Sequence, residues 1–205
     1  MKACRREDGC RDCTLACNSA HNIPSFENPK DQVKWIWKEP FGQALPDMEQ
    51  GHLPDGLATA PIPVLCNHCD NPACTRVCPT GATWKREDGV VMMDWHRCIG
   101  CRYCMAACPY GSRSFNWRDP RPAIARVNPD FPTRTRGVVE KCNLCEERLS
   151  LGQLPACVEA CAKAKALIFG DLEDPESEIR RVLAERIAVR RRPSLGTQPQ
   201  VYYLL

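Results

Sequence analysis

The chain is 205 residues long, 43% hydrophobic, 26% charged and 7% aromatic, with 18 Pro, 12 Gly and a formal charge of +3. Its length suits one or two domains, and no apolar run approaches the roughly 18–20 residues that a bilayer-crossing helix needs. So many turn-forming residues leave little aliphatic surface to bury, and the sixteen cysteines must supply much of the folding free energy through metal ligation.

In chain order, the first cysteine quartet is Cys4, Cys10, Cys13 and Cys17, preceded only by Met1-Lys2-Ala3. The later quartets are each entered by a β-prone piece, so an upstream strand and a leader are expected to be missing here; otherwise the subunit lacks that strand. Arg5-Arg6 is a twin arginine by letter only, because Glu7-Asp8 follow where an export signal needs apolar residues. Residues 18–62 form an insertion containing Val33-Lys34-Trp35-Ile36-Trp37. It reads either as a docking surface or as a wrap that keeps water from the cysteines. Pro63-Val64-Leu65 then leads as a strand into the second quartet, Cys66, Cys69, Cys74 and Cys78.

Trp84-Lys85-Arg86 and Val90–Met93 flank Glu87-Asp88-Gly89, a three-residue hairpin turn. The second arm enters the third quartet, Cys98, Cys101, Cys104 and Cys108, and Ser112–Phe115 leaves it. Residues 117–137 are an arginine- and proline-rich insertion. Val138-Val139 opens onto the fourth quartet, Cys142, Cys145, Cys157 and Cys161, with Ala166–Phe169 beyond. Asp174-Pro175 predicts the N-cap and first residue of a helix with Ile179, Val182 and Leu183 on one face. Arg190-Arg191-Arg192 would be its solvated end and Pro193 its stop. The tail Gly196–Leu205 reads as an extended segment packed on its own body or on a partner.

Every quartet holds a C-x2-C pair and closes with C-x3-C. Eight disulfides are a poor account of this, because thiols two residues apart seldom form structural bridges. Structural zinc wants pairs separated by a long loop rather than compact quartets. Covalent haem needs His after C-x-x-C, and here Thr14, Asp70, Arg102, Met105 and Glu146 follow instead. His68 and His96 lie in or beside quartets that already have four thiolates, so they read as hydrogen-bonding or surface groups; His21 and His52 carry no signal.

The third quartet, C-x2-C-x2-C-x3-C-P, has the spacing of bacterial ferredoxins with [4Fe–4S] clusters. Three thiolates two residues apart reach three corners of one cube, and a short turn carries the fourth away. The chain further resembles the four-cluster iron–sulfur subunits of the dimethyl sulfoxide and polysulfide reductase group. The resemblance rests on Cys66–Cys74 (CNHCDNPAC) with Cys78–Ala82 (CPTGA), Arg97–Cys101 (RCIGC), Cys108–Gly111 (CPYG), Lys141–Cys145 (KCNLC) and Pro155-Ala156-Cys157. Within that group it is similar to the DsrO-type subunits of the Dsr transmembrane complex of dissimilatory sulfur metabolism. The carriers are the widened Cys4–Cys10 spacing, Val33–Glu39 (VKWIWKE), Gly111–Arg121 (GSRSFNWRDPR) and Gly196–Tyr203 (GTQPQVYY).

The resemblance implies an α+β, loop-rich fold of duplicated bacterial ferredoxin-like modules holding 2 × 2 [4Fe–4S] clusters. The outer module would be 1–17 plus 138–170, the inner module 63–116, and 171–205 a C-terminal helix and tail. The quartets would exchange their last ligands: Cys4, Cys10, Cys13 with Cys161; Cys142, Cys145, Cys157 with Cys17; Cys66, Cys69, Cys74 with Cys108; Cys98, Cys101, Cys104 with Cys78. Cys17 and Cys161 lack the Pro that follows the corresponding cysteine elsewhere.

As further implications, the chain would sit peripherally on the periplasmic face of the cytoplasmic membrane. It would relay single electrons between an NrfD-type quinone-reactive membrane subunit and a multihaem cytochrome c within a larger complex. No residue would be catalytic, since four thiolates close each site and leave no iron open to a small-molecule substrate. Two alternatives stand: the electron-transfer subunit of a molybdopterin oxidoreductase of polysulfide, tetrathionate or dimethyl sulfoxide type, and a redox-inert metal scaffold. Four oxidised cubanes at about −2 each would take the +3 chain to about −5, so its basicity does not point to nucleic acid. Chelating the iron under reducing conditions is expected to unfold the protein, read as loss of the native circular dichroism spectrum; a retained spectrum would refute this.

Overall fold

The computed structural model describes residues 4, 9–48 and 53–205. Met1-Lys2-Ala3, Arg5–Asp8 and His52, which figure in the sequence reading, lie outside the described residues. Among the described residues, four separate two-stranded antiparallel ribbons are linked by short helices and long irregular segments.

β1 (Ile36–Pro40) pairs with β2 (Pro61–Leu65), Ile36 opposite Leu65. Ile62 and Val64 point inward along β2 and pack on Phe41, Ala44 and Leu45 of the short α2 (Phe41–Ala44) and its end. β3 (Thr83–Lys85) and β4 (Val91–Met93) form the expected hairpin. In its turn Gly89 adopts φ +82°, and Asp88 Oδ1 accepts from the Val90 N–H at 3.1 Å. β5 (Ser114–Phe115) leaves the third quartet and pairs with β6 (Val139–Glu140), which enters the fourth. A two-residue ribbon therefore ties successive quartets together.

The region around β6 is held by a buried ion pair. Arg134 and Glu140 have fully buried side chains and meet at 2.7 Å. Glu140 also accepts from Trp35 Nε1 at 3.1 Å and from Asn116 Nδ2. Arg134 donates to the carbonyls of His21, Asn22 and Pro132 and lies over the rings of Trp35, Trp95 and Phe131. Both insertions therefore turn large side chains inward: Trp35 is 1% exposed. The core around it includes Ile23, Val33, Ile36 and Phe131 together with Cys13, Cys17, Cys66, Cys142 and Cys157.

Four expectations near the C-terminus need correction. The helix there, α7, spans Glu178–Glu185 with Ser177 as N-cap. Asp174 instead closes a turn, accepting from the Glu176 N–H at 2.9 Å through its side chain and from Ser177 through its carbonyl. The arginine run is no solvated helix end: Arg190 lies in β7 (Ala188–Arg190), and Arg191 is buried, donating through Nε to the Ala44 carbonyl at 2.8 Å. Pro193 opens a 3-10 turn rather than stopping a helix. Ala166–Phe169 forms no strand. The tail does pack on its own body. β8 (Tyr202–Leu204) pairs with β7, and Gln198, Thr197 and Gln200 bond to the backbone of Asp70, Asn71 and Asn67.

Two substitutions test these contacts. Glu140→Gln leaves Arg134 buried without a counter-charge and is expected to cost about 3–5 kcal/mol, seen as a lower thermal midpoint of the cluster-loaded protein. Gly100 has φ +72°, and an added Cβ would run into the Gly137 carbonyl oxygen just ahead of β6. Gly100→Ala is therefore expected to cost about 1–3 kcal/mol in the same thermal measurement.

Candidate metal centres

The outer quartets meet through helix packing. α1 (Asp12–Ala20) carries Cys13 and Cys17, both buried, four residues apart and so on one face. It packs against α6 (Ala156–Ala160), which carries Cys157 and ends at Cys161. Cys13 lies within electrostatic reach of Cys161 and Cys4, and the Lys38 ammonium contacts the carbonyls of both Cys4 and Cys10. Cys17 instead faces Cys142, Cys157 and Cys145. One turn of helix thus delivers Cys13 and Cys17 to two different sulfur groups.

The inner quartets are joined the same way, α3 (Ala73–Arg76) packing on α4 (Tyr103–Ala106). Cys69 faces Cys66, Cys108 and Cys74. Cys78, Cys98, Cys101 and Cys104 line one small recess with Gly100 and Thr80. The loops bend sharply to achieve this: His68, Arg102, Leu144 and Cys145 all take positive φ, a conformation uncommon for residues other than glycine and concentrated at functional sites.

The four groups follow one another in line. Cys157 senses Cys13, Cys142 senses Cys66, and Cys104 senses Cys74. Cysteines of the first and fourth quartets, of the fourth and second, and of the second and third are thus brought successively together. The cysteines of the first and fourth quartets are buried apart from the half-buried Cys10, those of the second and third are mostly half-buried, and Cys101 is exposed.

None of the sixteen cysteines is in a disulfide. Burial, reinforced by neighbouring sulfurs, raises the thiols of Cys17 and Cys142 well above their ordinary range and those of Cys69 and Cys157 to about 12. Such groups become thiolates together only if a metal deprotonates them. The backbone N–H groups of Leu144 and Ala156 already donate to Cys142 Sγ and Cys145 Sγ, at 3.4 and 3.3 Å. Converging buried sulfurs with amides aimed at them fit iron–sulfur clusters, whose potentials such hydrogen bonds tune.

Several non-cysteine groups complete the environment. His68 accepts from the Val91 N–H at Nδ1 (3.0 Å), so Nε2 carries the proton and donates to the Cys142 carbonyl at 3.1 Å. The ring is neutral and both nitrogens are used, in keeping with a hydrogen-bonding role; His96 is exposed. Lys141 is buried with Nζ on the carbonyls of Val91 and Cys142. Burial would push the Cys66 thiol up, but the Lys141 ammonium, helped by the His68 backbone N–H, outweighs it and brings it down to about 5.

His21, read from sequence as uninformative, stacks on Trp35 with ring centroids 4.6 Å apart. It donates from Nδ1 to the Cys17 carbonyl at 3.0 Å and from Nε2 to Glu147 at 2.8 Å. Burial disfavours its imidazolium, yet Cys145 and Glu147 prevail and raise its pKa to about 9. His21, Cys145 and Glu147 offer ligand atoms within 4.8 Å of one another, but a ring donating from both nitrogens is no metal ligand. The sequence signal for His21 is its position four residues after Cys17, one helical turn on.

Residues 58–122 match the family described as "4Fe-4S dicluster domain". The chain is 46% identical over 199 residues to the Hdr-like menaquinol oxidoreductase iron-sulfur subunit 1 of Archaeoglobus fulgidus, covering 93% of this chain and 71% of that protein. It is 38% identical over 204 residues to a subunit of the tetrathionate reductase of Salmonella typhimurium (98% of this chain, 69% of the other). It is also 38% identical over 198 residues to a component of the polysulfide reductase of Wolinella succinogenes (95% and 86%).

Proposed function

This protein is one of the iron–sulfur electron-transfer subunits of dimethyl sulfoxide-, polysulfide- and tetrathionate-type reductases and Hdr-like menaquinol oxidoreductases, and on that premise we propose that it relays single electrons through four [4Fe–4S] clusters. Such a subunit is not itself the catalyst of its complex. The ligand sets we propose are Cys4, Cys10, Cys13, Cys161; Cys142, Cys145, Cys157, Cys17; Cys66, Cys69, Cys74, Cys108; and Cys98, Cys101, Cys104, Cys78. The observation that carries this reading is the linear succession of the four sulfur groups, each adjacent pair linked by facing cysteines.

When bound, the clusters supply one-electron redox chemistry. The chain's own residues set spacing, exclude water and expose one end. Trp35, Phe131 and Ile23 keep water from the middle of the line. At the last group Cys101 is open to solvent, rimmed by Ile99 (67% exposed) and Tyr103 (61%), and Arg102 lies over Trp117 at 4.7 Å. An apolar rim around an exposed ligand suits a docked redox partner, since docking would cover it and bring the partner's centre near.

The partners we propose are an NrfD-type quinone-reactive membrane subunit and a multihaem cytochrome c, in a Dsr-type complex of dissimilatory sulfur metabolism on the periplasmic face of the cytoplasmic membrane. The 46% relative carries a menaquinol oxidoreductase name, against 38% for the tetrathionate and polysulfide subunits. That difference favours this reading over a molybdopterin reductase partner. Peripheral attachment accords with the lack, among the described residues, of a helix long and apolar enough to cross a membrane.

Purification of the native complex tests the whole reading. About sixteen irons per chain, four titrating cubane signals by potentiometric EPR and co-purifying haem without molybdenum are the expected results. Molybdenum in place of haem would transfer the chain to the alternative reading. Clusters that never titrate would make it a scaffold. Cys101→Ser is expected to alter one of the four signals and spare three.

A further inference from the structure

Arg113 leaves the third quartet just ahead of β5, yet its side chain turns inward and the residue is 4% exposed. Nη2 donates to Cys74 Sγ and to Thr83 Oγ1, each at 2.9 Å, and Nη1 points at Met93 Sδ at 3.7 Å. No carboxylate pairs with it among the described residues. Its anionic neighbours are sulfurs from two different groups, Cys74 and Cys66 on one side and Cys104 on the other, and its cationic neighbour is Lys141. A guanidinium stays charged, and a buried cation is costly unless an anion offsets it. Here only sulfur is available to do so.

We infer that Arg113 is a cation shared by the two inner clusters, one held by Cys66, Cys69, Cys74 and Cys108 and the other by Cys78, Cys98, Cys101 and Cys104. This deepens the relay reading and rests on it. Each reduction adds one negative charge to a cluster. A fixed positive charge between two clusters favours the reduced form of both. A donor private to Cys74 would act on one cluster alone. Thr83 fixes the guanidinium in this position: its hydroxyl accepts from Nη2 and donates to the Met92 carbonyl at 2.6 Å.

Potentiometric EPR on the purified complex tests this, with wild type beside Arg113→Gln and Arg113→Lys. Fewer than four cubane signals in wild type would sink the four-cluster reading itself, independently of Arg113. With four present, Arg113→Gln is expected to lower two potentials and leave the other two in place. Arg113→Lys keeps the charge and is expected to restore most of the loss in both. Movement of a single potential, or of none, overturns the inference. If Arg113→Gln binds less iron than wild type, Thr83→Val replaces it, keeping the guanidinium but removing its anchor. The same two potentials then fall by less, and anything other than paired movement overturns the shared role.

Discussion

Sulfur drawn out of water in the ionised state needs positive charge close by, and most of this molecule is arranged around that need. Iron supplies the larger share once bound. The protein supplies the rest from inside, with Lys38 on the Cys4 and Cys10 carbonyls, His21 beside Cys17, Lys141 between Cys66 and Cys142 and Arg113 between Cys74 and Cys104. These cations are spread along the line of sulfur groups rather than gathered at one end. Cys101, the one exposed cysteine, borders solvent, where water and counter-ions can contribute screening.

The same requirement explains why the carboxylates of Glu140 and Glu147, near the outer sulfurs, are already committed. Glu140 is spent on Arg134 and Glu147 on His21. A free carboxylate beside the thiolates would oppose ionisation and depress potentials. Each of these two instead holds a cation in place: Glu147 fixes the His21 ring against Trp35, and Glu140 fixes Arg134 over the aromatic cluster. The aromatic residues in turn occupy volume that water would otherwise fill. Trp35 therefore joins packing and electrostatics at one point, through its ring face and through its Nε1 bond to Glu140.

Much of this was legible in the sequence where the determinants are local. Cysteine spacing is a local property, as is the Glu87-Asp88-Gly89 turn; the turn forms as read, and the second and third quartets lie in the segment that matches the 4Fe-4S dicluster family. The strands entering the second, third and fourth quartets were legible for the same reason. What failed was of two kinds. Asp174-Pro175 is a good helix start on propensity, but the Asp174 side chain bonds to its own backbone two residues on and defers the helix to Ser177. The three arginines near 191 look alike by composition, whereas only the fold decides that one of them reaches the Ala44 carbonyl. His21, Arg113 and Lys141 escaped because their partners lie far away in sequence. His21 meets Glu147 across 126 residues, and no local pattern encodes that.

Chain order and spatial order differ in a way that constrains how the sites can be completed. In the proposed ligand sets the two inner groups draw all their cysteines from residues 66–108, so short loops bring them together. Each outer set takes sulfur from both ends of the chain, where α1 near the start docks on α6 far downstream. Loop closure costs more entropy as the intervening segment lengthens, though only slowly. The inner region shortens the effective loop: β5 pairs with β6, leading directly into Cys142, and Trp35 anchors α1's neighbourhood to the same strand through Glu140. With those contacts made, the first quartet has little freedom left to lose when it meets the fourth. The insertions therefore do more than cover the cysteines: through Trp35 from one and Arg134 from the other, they draw the two ends of the chain to a common point.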